Sequence, residues 1–125
     1  MNLKGKEAKS EIRGVLIDIL GQCYQLDQGG LDHGELSRAP KHIIVDMRNK
    51  PCIVDFETAS ITRRSSNVTS ICQYLFMKSG LAKTLQHRLC EIDREALVTA
   101  LRNYKRQPVR KNFNEILKTC RLTDL

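Results

Sequence analysis

The sequence predicts a mainly α-helical domain with one short β-hairpin. Several segments carry apolar residues at the 3.6-residue period of a helix face, and two short runs rich in Ile and Val stand close together between them. The chain has 125 residues, which is the size of one domain. Aromatic residues make up only 5% and Trp is absent, so we expect one core built from Leu, Ile and Val.

The first helix is predicted over residues 11–26. Ser10 is a candidate cap at its start, and Gly29 and Gly30 are typical of a helix end. The apolar residues on its expected buried face are Ile12, Val15, Leu16, Ile19, Leu20 and Cys23.

A β-hairpin is predicted at residues 42–56, between loops at residues 31–41 and 57–66. The run from His42 to Asp46 and the run from Pro51 to Phe56 are joined by about four turn residues. Pro51 suits the first position of a strand, where no ladder bond is lost.

The second half of the chain predicts helices. One begins at Asn67 and ends before Gly80, and a shorter one carries Leu81, Leu85 and Leu89. Asp93 is a candidate cap for the next helix, which Pro108 ends. Asn112 and Glu115 have the spacing of a capping box for the last. The expected buried residues are Val68, Ile71, Cys72, Leu75, Phe76, Ala96, Leu97, Ala100, Leu101 and Tyr104.

Positive charge is concentrated at the C-terminal end. Residues 101–125 carry seven basic and two acidic side chains, which together give +5 of the formal net charge of +7. They form the most basic part of a helical C-terminal segment, residues 93–125. Such charge indicates either a nucleic acid or other polyanion as partner, or a solvated helix face.

The remaining composition favours a cytoplasmic protein without a membrane anchor. No apolar run approaches the roughly 20 residues that span a bilayer, and the first residues do not resemble a signal peptide. The five cysteines are scattered, so we expect reduced, packed thiols rather than disulfides or a zinc site.

The residues that suggest chemistry lie between His33 and Ser70. Glu35 lies in a loop before the hairpin, and Asp55 lies at the end of its second strand. Acids at such a position suit proton abstraction and Mg²⁺ binding. Arg63 and Arg64 then lead to a helix N-terminus, where they are either phosphate contacts or a solvated face. These are the parts that phosphoryl transfer requires.

The same stretch resembles the C-terminal lobe of a protein-kinase-like fold. His33-Gly34-Glu35-Leu36 resembles the catalytic-loop motif His-Arg-Asp-Leu, and Asp55-Phe56-Glu57 resembles the metal-binding Asp-Phe-Gly. The wording over roughly residues 11–80 is similar to predicted archaeal serine/threonine kinases, of the abbreviated type represented by the RIO kinases and aminoglycoside phosphotransferases.

The resemblance implies a role for each matched residue. Glu35 would be the catalytic carboxylate that accepts the substrate hydroxyl proton, and Asp55 would hold Mg²⁺. His42, with Lys41 beside it, would contact the nucleotide or, for His42, the metal. Asn67 stands where the family has an Asp that holds the catalytic-loop backbone. We expect His33 to brace the same loop rather than take part in chemistry.

The sequence also departs from the family. Glu replaces Asp at position 35, Glu57 replaces Gly, and residues 1–30 offer no Gly-rich phosphate loop or strand Lys. We therefore expect ATP and Mg²⁺ to bind weakly, with a dissociation constant no tighter than about millimolar.

Three functions stay open at this point. The chain is a C-lobe of an ATP-dependent serine/threonine phosphotransferase that needs a separate N-lobe and a protein substrate, or a catalytically inactive kinase-like remnant that acts as a binding module. The less favoured third is a small basic nucleic-acid-binding domain.

Overall fold

The computed structural model describes residues 5–36, 43–45, 48, 50–78 and 92–123, and it is mainly helical. Helix α1 spans Gly5–Gln28, α2 spans Asn67–Gln73, α3 spans Arg94–Arg106 and α4 spans Arg110–Thr119. Strands β1, Ile43–Val45, and β2, Pro51–Ile53, lie between α1 and α2. The predicted mainly α class is therefore confirmed.

Helix α1 is longer than the periodicity of residues 11–26 predicts. It begins at Gly5, so Ser10 lies inside the helix and the predicted Ser10 cap is wrong. The extension uses Lys, Glu and Ala, which are good helix formers. Its end is as expected: Gly30 has a φ of 76°, a left-handed conformation that favours glycine.

The predicted hairpin is present. β1 and β2 pair antiparallel, with Ile44 opposite Cys52, and Pro51 is the first residue of its strand. Gln22 on α1 fastens β2 to the helix, because its amide donates to the Pro51 carbonyl at 2.7 Å and accepts from the Ile53 N–H at 3.3 Å. One side chain thereby satisfies a strand donor and a strand acceptor.

Helix α2 continues into a turn of π-helix at Tyr74–Lys78 and packs its apolar face against α1. The residues predicted for this face are all buried: Val68, Ile71, Cys72, Leu75 and Phe76. The wider π turn keeps Leu75 and Phe76 on the core side.

Helices α3 and α4 pack against each other. The predicted Asp93 cap is confirmed, since its carboxylate accepts from the Ala96 N–H at 3.2 Å. Ala96 itself is exposed, contrary to expectation. The predicted capping box is wrong: α4 begins earlier, at Arg110, and the Asn112 amide donates instead to Gln107 O at 2.8 Å, which closes the turn between the helices.

The core joins all four helices and β2, and three thiols lie in it. Cys23, Cys72 and Cys120 are buried and free, as predicted, whereas Cys52 is exposed because it points away from the core on β2. Burial, helped by the Asp27 charge, raises the pKa of Cys23. A hydrogen bond with Cys120, together with burial, raises the pKa of Cys72.

Some sequence-based expectations fall outside the described residues. These are the helix carrying Leu81, Leu85 and Leu89, the end at Gly80, and Cys90. Within the described ranges, no helix has the length and apolar character needed to cross a membrane.

The buried thiols predict that the protein loses stability in alkali. The ordinary thiol pKa is 9.0, so above that pH the unfolded chain releases protons that the native protein keeps. The free energy of unfolding should therefore fall as pH rises, by up to about 1.4 kcal/mol per pH unit for each such thiol. Urea unfolding between about pH 8 and about pH 10.5 measures this.

Single-thiol variants identify the source of this alkaline loss. Cys72→Ala should make the pH dependence shallower without removing it, because Cys23 remains and burial also raises the pKa of the Tyr104 hydroxyl. Cys52→Ala, which removes an exposed thiol, should leave it unchanged. A free energy of unfolding that stays constant over this range contradicts the prediction.

Candidate functional site

The centre of the candidate site is a chain of hydrogen bonds from α1 through Asn67 to the His33 loop. The Asp27 carboxylate accepts from the Asn67 backbone N–H at 2.9 Å and from its side-chain amide at 2.8 Å. That amide also donates to Leu31 O at 2.7 Å. The Asn67 Oδ1 accepts the His33 N–H at 2.7 Å. Asn67 thus holds the loop backbone, as the resemblance implies.

The buried ring of His33 connects this loop to the residues that follow β2. Its Nε2 lies 2.9 Å from Val54 O, which can only accept, so the proton is on Nε2. Its Nδ1 then accepts the Glu35 N–H at 3.3 Å. The ring also packs against Phe56, with centroids 4.8 Å apart. His33 braces the loop as predicted, and it brings the two kinase-like motifs into contact.

Gly34 allows the two loops to approach closely. Its φ is 96°, and a Cβ at this position would lie 2.7 Å from the Arg63 guanidinium and 3.0 Å from Thr58 O. Only glycine fits here without strain or displacement. The next residue, Glu35, is half-buried and its carboxylate accepts from the Thr58 hydroxyl at 3.1 Å.

Asp55 lies just beyond β2, exposed, with a φ of 61°. A left-handed conformation at a non-glycine residue carries strain of about 1 kcal/mol or more, and such residues concentrate at functional sites. Lys41 and His42, the other predicted nucleotide and metal contacts, lie outside the described residues. Among those that are described, no cluster of three His, Cys, Asp or Glu forms a metal site.

The two arginines serve as structural braces. The Arg63 Nε contacts the Asp32 carboxylate at 2.9 Å, and its Nη2 donates to Thr58 O at 2.6 Å. Arg64 donates to Lys105 O at the end of α3. The N-terminus of α2 is likewise occupied, because Asp27 accepts the N–H groups of its first two residues. Of the two alternatives for Arg63, a phosphate contact or a solvated face, the structure shows neither: its guanidinium contacts Asp32 and Thr58 O. At the N-terminus of α2, the Asp27 carboxylate takes the position that a phosphate would need.

Sequence reasoning missed two acids that organise the site. Asp32 pairs with Arg63, accepts the Ser66 N–H at 3.1 Å and forms an antiparallel bridge to Ser60. Asp27 binds Asn67 and also accepts the Tyr104 hydroxyl at 2.7 Å. Both lie within six residues of His33, but local sequence does not reveal partners that are 28 to 77 residues away.

Comparison with known proteins gives one informative relative. No family model matches the chain. Over 81 residues it is 30% identical to uncharacterized protein MJ1211 of Methanocaldococcus jannaschii, and the match covers 65% of this chain and 68% of the relative. The chain belongs to the family of that archaeal protein. The name of that relative assigns it no function, so the geometry of the site carries the functional proposal.

The Asp27–Asn67 contact requires an amide donor at position 67, and it predicts the result of introducing a carboxylate there. Asn67→Asp would place two carboxylates within hydrogen-bond distance and remove the donor to Leu31 O. We expect a loss of about 2–4 kcal/mol in the free energy of unfolding, from like-charge repulsion and a buried unpaired carbonyl. Urea denaturation measures it.

The matched variant is the exchange itself, Asp27→Asn with Asn67→Asp. It restores one donor–acceptor pair between the two side chains, so it should recover part of the loss. Ser70→Ala, one turn further along α2, is the control and should change stability little. A double variant no more stable than Asn67→Asp alone contradicts this account.

Proposed function

We propose that this chain is the C-terminal lobe of an ATP-dependent phosphotransferase of serine/threonine protein kinase type. The observation that carries the proposal is the contact between the two motif segments: the His33 ring bonds Val54 O and packs on Phe56. Under this proposal Glu35, two residues after His33, supplies the catalytic carboxylate, and Asp55, between Val54 and Phe56, supplies the metal-binding carboxylate.

The Glu35 carboxylate has the environment that a hydroxyl-orienting base needs. It accepts a hydrogen bond from a threonine hydroxyl of its own chain, which is the donor type of a serine or threonine substrate. In phosphoryl transfer the protein mainly positions groups and neutralises charge. If the hydroxyl of a protein substrate takes the place of the Thr58 hydroxyl at the Glu35 carboxylate, Glu35 positions that substrate for transfer.

Asp55 has the chemistry expected of a magnesium ligand in such a site. Mg²⁺ bound to nucleotide phosphates takes one or two protein carboxylates and completes its shell with phosphate oxygens and water, so one exposed Asp is compatible with this use. The ion would supply charge neutralisation on the transferred phosphoryl group. The left-handed backbone of Asp55 sets the direction in which its side chain leaves the main chain.

A C-lobe alone does not provide the contacts that grip adenine, so we propose that a separate N-lobe completes the site. The alternative, a catalytically inactive remnant that still binds ATP and Mg²⁺ weakly, uses the same residues. The two differ in whether phosphate is transferred.

Replacement of Asp55 tests the proposal. Where the chain transfers labelled γ-phosphate to casein at millimolar ATP and Mg²⁺, alone or with an added N-lobe, Asp55→Asn should remove nearly all of this transfer, because the metal-binding charge is gone. Asn tolerates the left-handed backbone, so the fold should persist. Glu35→Gln should cost less, on the order of 10²–10⁴-fold, as expected for loss of a positioned base.

Glu57→Gln is the matched control, since it removes an exposed acid two residues away and should leave the rate within a few-fold of wild type. Circular dichroism checks the fold of each variant. A measurable transfer rate that is equal for wild type and Asp55→Asn contradicts the proposed enzyme. Amide NMR shifts near Asp55 on addition of ATP and Mg²⁺, without transfer, then identify the inactive remnant.

A further inference from the structure

A cluster of positive charge lies at the corner where α3 ends and α4 begins, away from the proposed kinase-like site. Residues 102–111 contain five basic side chains and no acid, and all five are exposed. Arg64 joins them because its guanidinium donates to Lys105 O. We call this set the basic corner; it consists of Arg64, Arg102, Lys105, Arg106, Arg110 and Lys111.

The corner is a rigid part of the fold. The Asn112 amide bridges Asn103 O and Gln107 O, and the Gln28 amide donates to Pro108 O at 2.7 Å. The Arg110 guanidinium lies over the Tyr24 ring, 5.4 Å from its centroid. These contacts fix the backbone from which the cations project, so the backbone loses little entropy when the corner binds a partner.

Internal contacts account for only part of this charge. Lys105 and Arg106 suit the negative end of the α3 dipole, and the Arg110 guanidinium lies over the Tyr24 and Phe113 rings. Arg110 and Lys111 nevertheless lie in the first turn of α4, where the helix dipole disfavours cations, and the acid of that helix, Glu115, comes four residues after Lys111. Asp93 and Glu95 are roughly 15–20 Å from Lys105 and Arg106 along α3, beyond the screening length at physiological salt. Cations placed against a helix dipole favour a binding role for this charge over a role in stabilising the fold.

A cleft adjoins the corner. It has a volume of about 220 Å³ and lies between the α2 segment and α3. Its lining combines two cations of the corner with apolar and polar side chains: Arg102, Lys105, Met77, Val98, Thr69 and Gln73. A flat, partly apolar ring with hydrogen-bonding edges suits this lining, and an unpaired nucleobase is such a ring.

We propose that the basic corner binds single-stranded nucleic acid, with phosphates on the cations and an unpaired base in the cleft. Arginine forks match phosphate oxygens, and four of the six cations are arginines. A protein partner is less well suited, because protein interfaces have an apolar core and Val109 is the one large apolar residue exposed at this corner among the described residues. Base pairing excludes duplex bases from the cleft.

The test is fluorescence anisotropy of a short labelled single-stranded RNA with the full chain. Arg106→Glu with Lys111→Glu should weaken binding at least about tenfold and lower the slope of log K against log salt by about 1.4, or about 0.7 per phosphate contact. The matched control is Arg94→Glu with Lys118→Glu, which changes net charge equally at the other end of the helix pair. It should leave both quantities nearly unchanged.

The cleft is tested separately. Gln73→Ala should weaken binding of the single strand without changing the salt slope. Circular dichroism confirms that each variant folds. Equal weakening by both charge-reversal pairs, duplex RNA bound as tightly as the single strand, or preference for phosphatidylserine vesicles over RNA overturns the proposal. None of these outcomes depends on phosphoryl transfer.

Discussion

One carboxylate, that of Asp27, organises the loops of this small domain. Asp27 lies near the C-terminal end of α1. Its carboxylate accepts hydrogen bonds from the first N–H groups of α2, from the Asn67 side chain and from the Tyr104 hydroxyl. α2 is only seven residues long and has no side-chain cap of its own. Its start is therefore fixed by a residue 40 positions earlier, and the loop that carries Glu35 is fixed in turn through Asn67.

The His33 loop and the segment after β2 are then held together by contacts of different kinds. Three kinds of contact link the same two segments. They are the packing of the buried His33 ring against Phe56, the two backbone hydrogen bonds of the Asp32–Ser60 bridge, and the Arg63–Asp32 ion pair. Surface ion pairs are individually weak, but this one also orients an arginine that bonds Thr58 O. Redundant contacts allow the strained Asp55 backbone to persist between them.

The sequence predicted what depends on local pattern. The buried faces of α1, α2 and α3, the hairpin, the Asp93 cap and the bracing by His33 follow from periodicity, strand composition and recognisable motifs. The start of α1 and of α4 could not be predicted, because Ser10 and Asn112 have the chemistry of caps but other residues begin these helices. The Gln22 clasp and the roles of Asp27 and Asp32 could not be predicted either, since each depends on a partner that only the tertiary fold brings near.

The hydrogen bond from Tyr104 to Asp27 has a thermodynamic consequence. Tyr104 lies in the last turns of α3, between Arg102 and Lys105, whereas Asp27 supports Asn67 and, through it, the backbone of His33. A displacement of α3 that stretches this bond also changes the support of the His33 loop. The affinity of the α3 surface around Tyr104 for a ligand would therefore be linked to the affinity of the His33 loop for another. By reciprocity, each ligand would change the affinity for the other by the same factor.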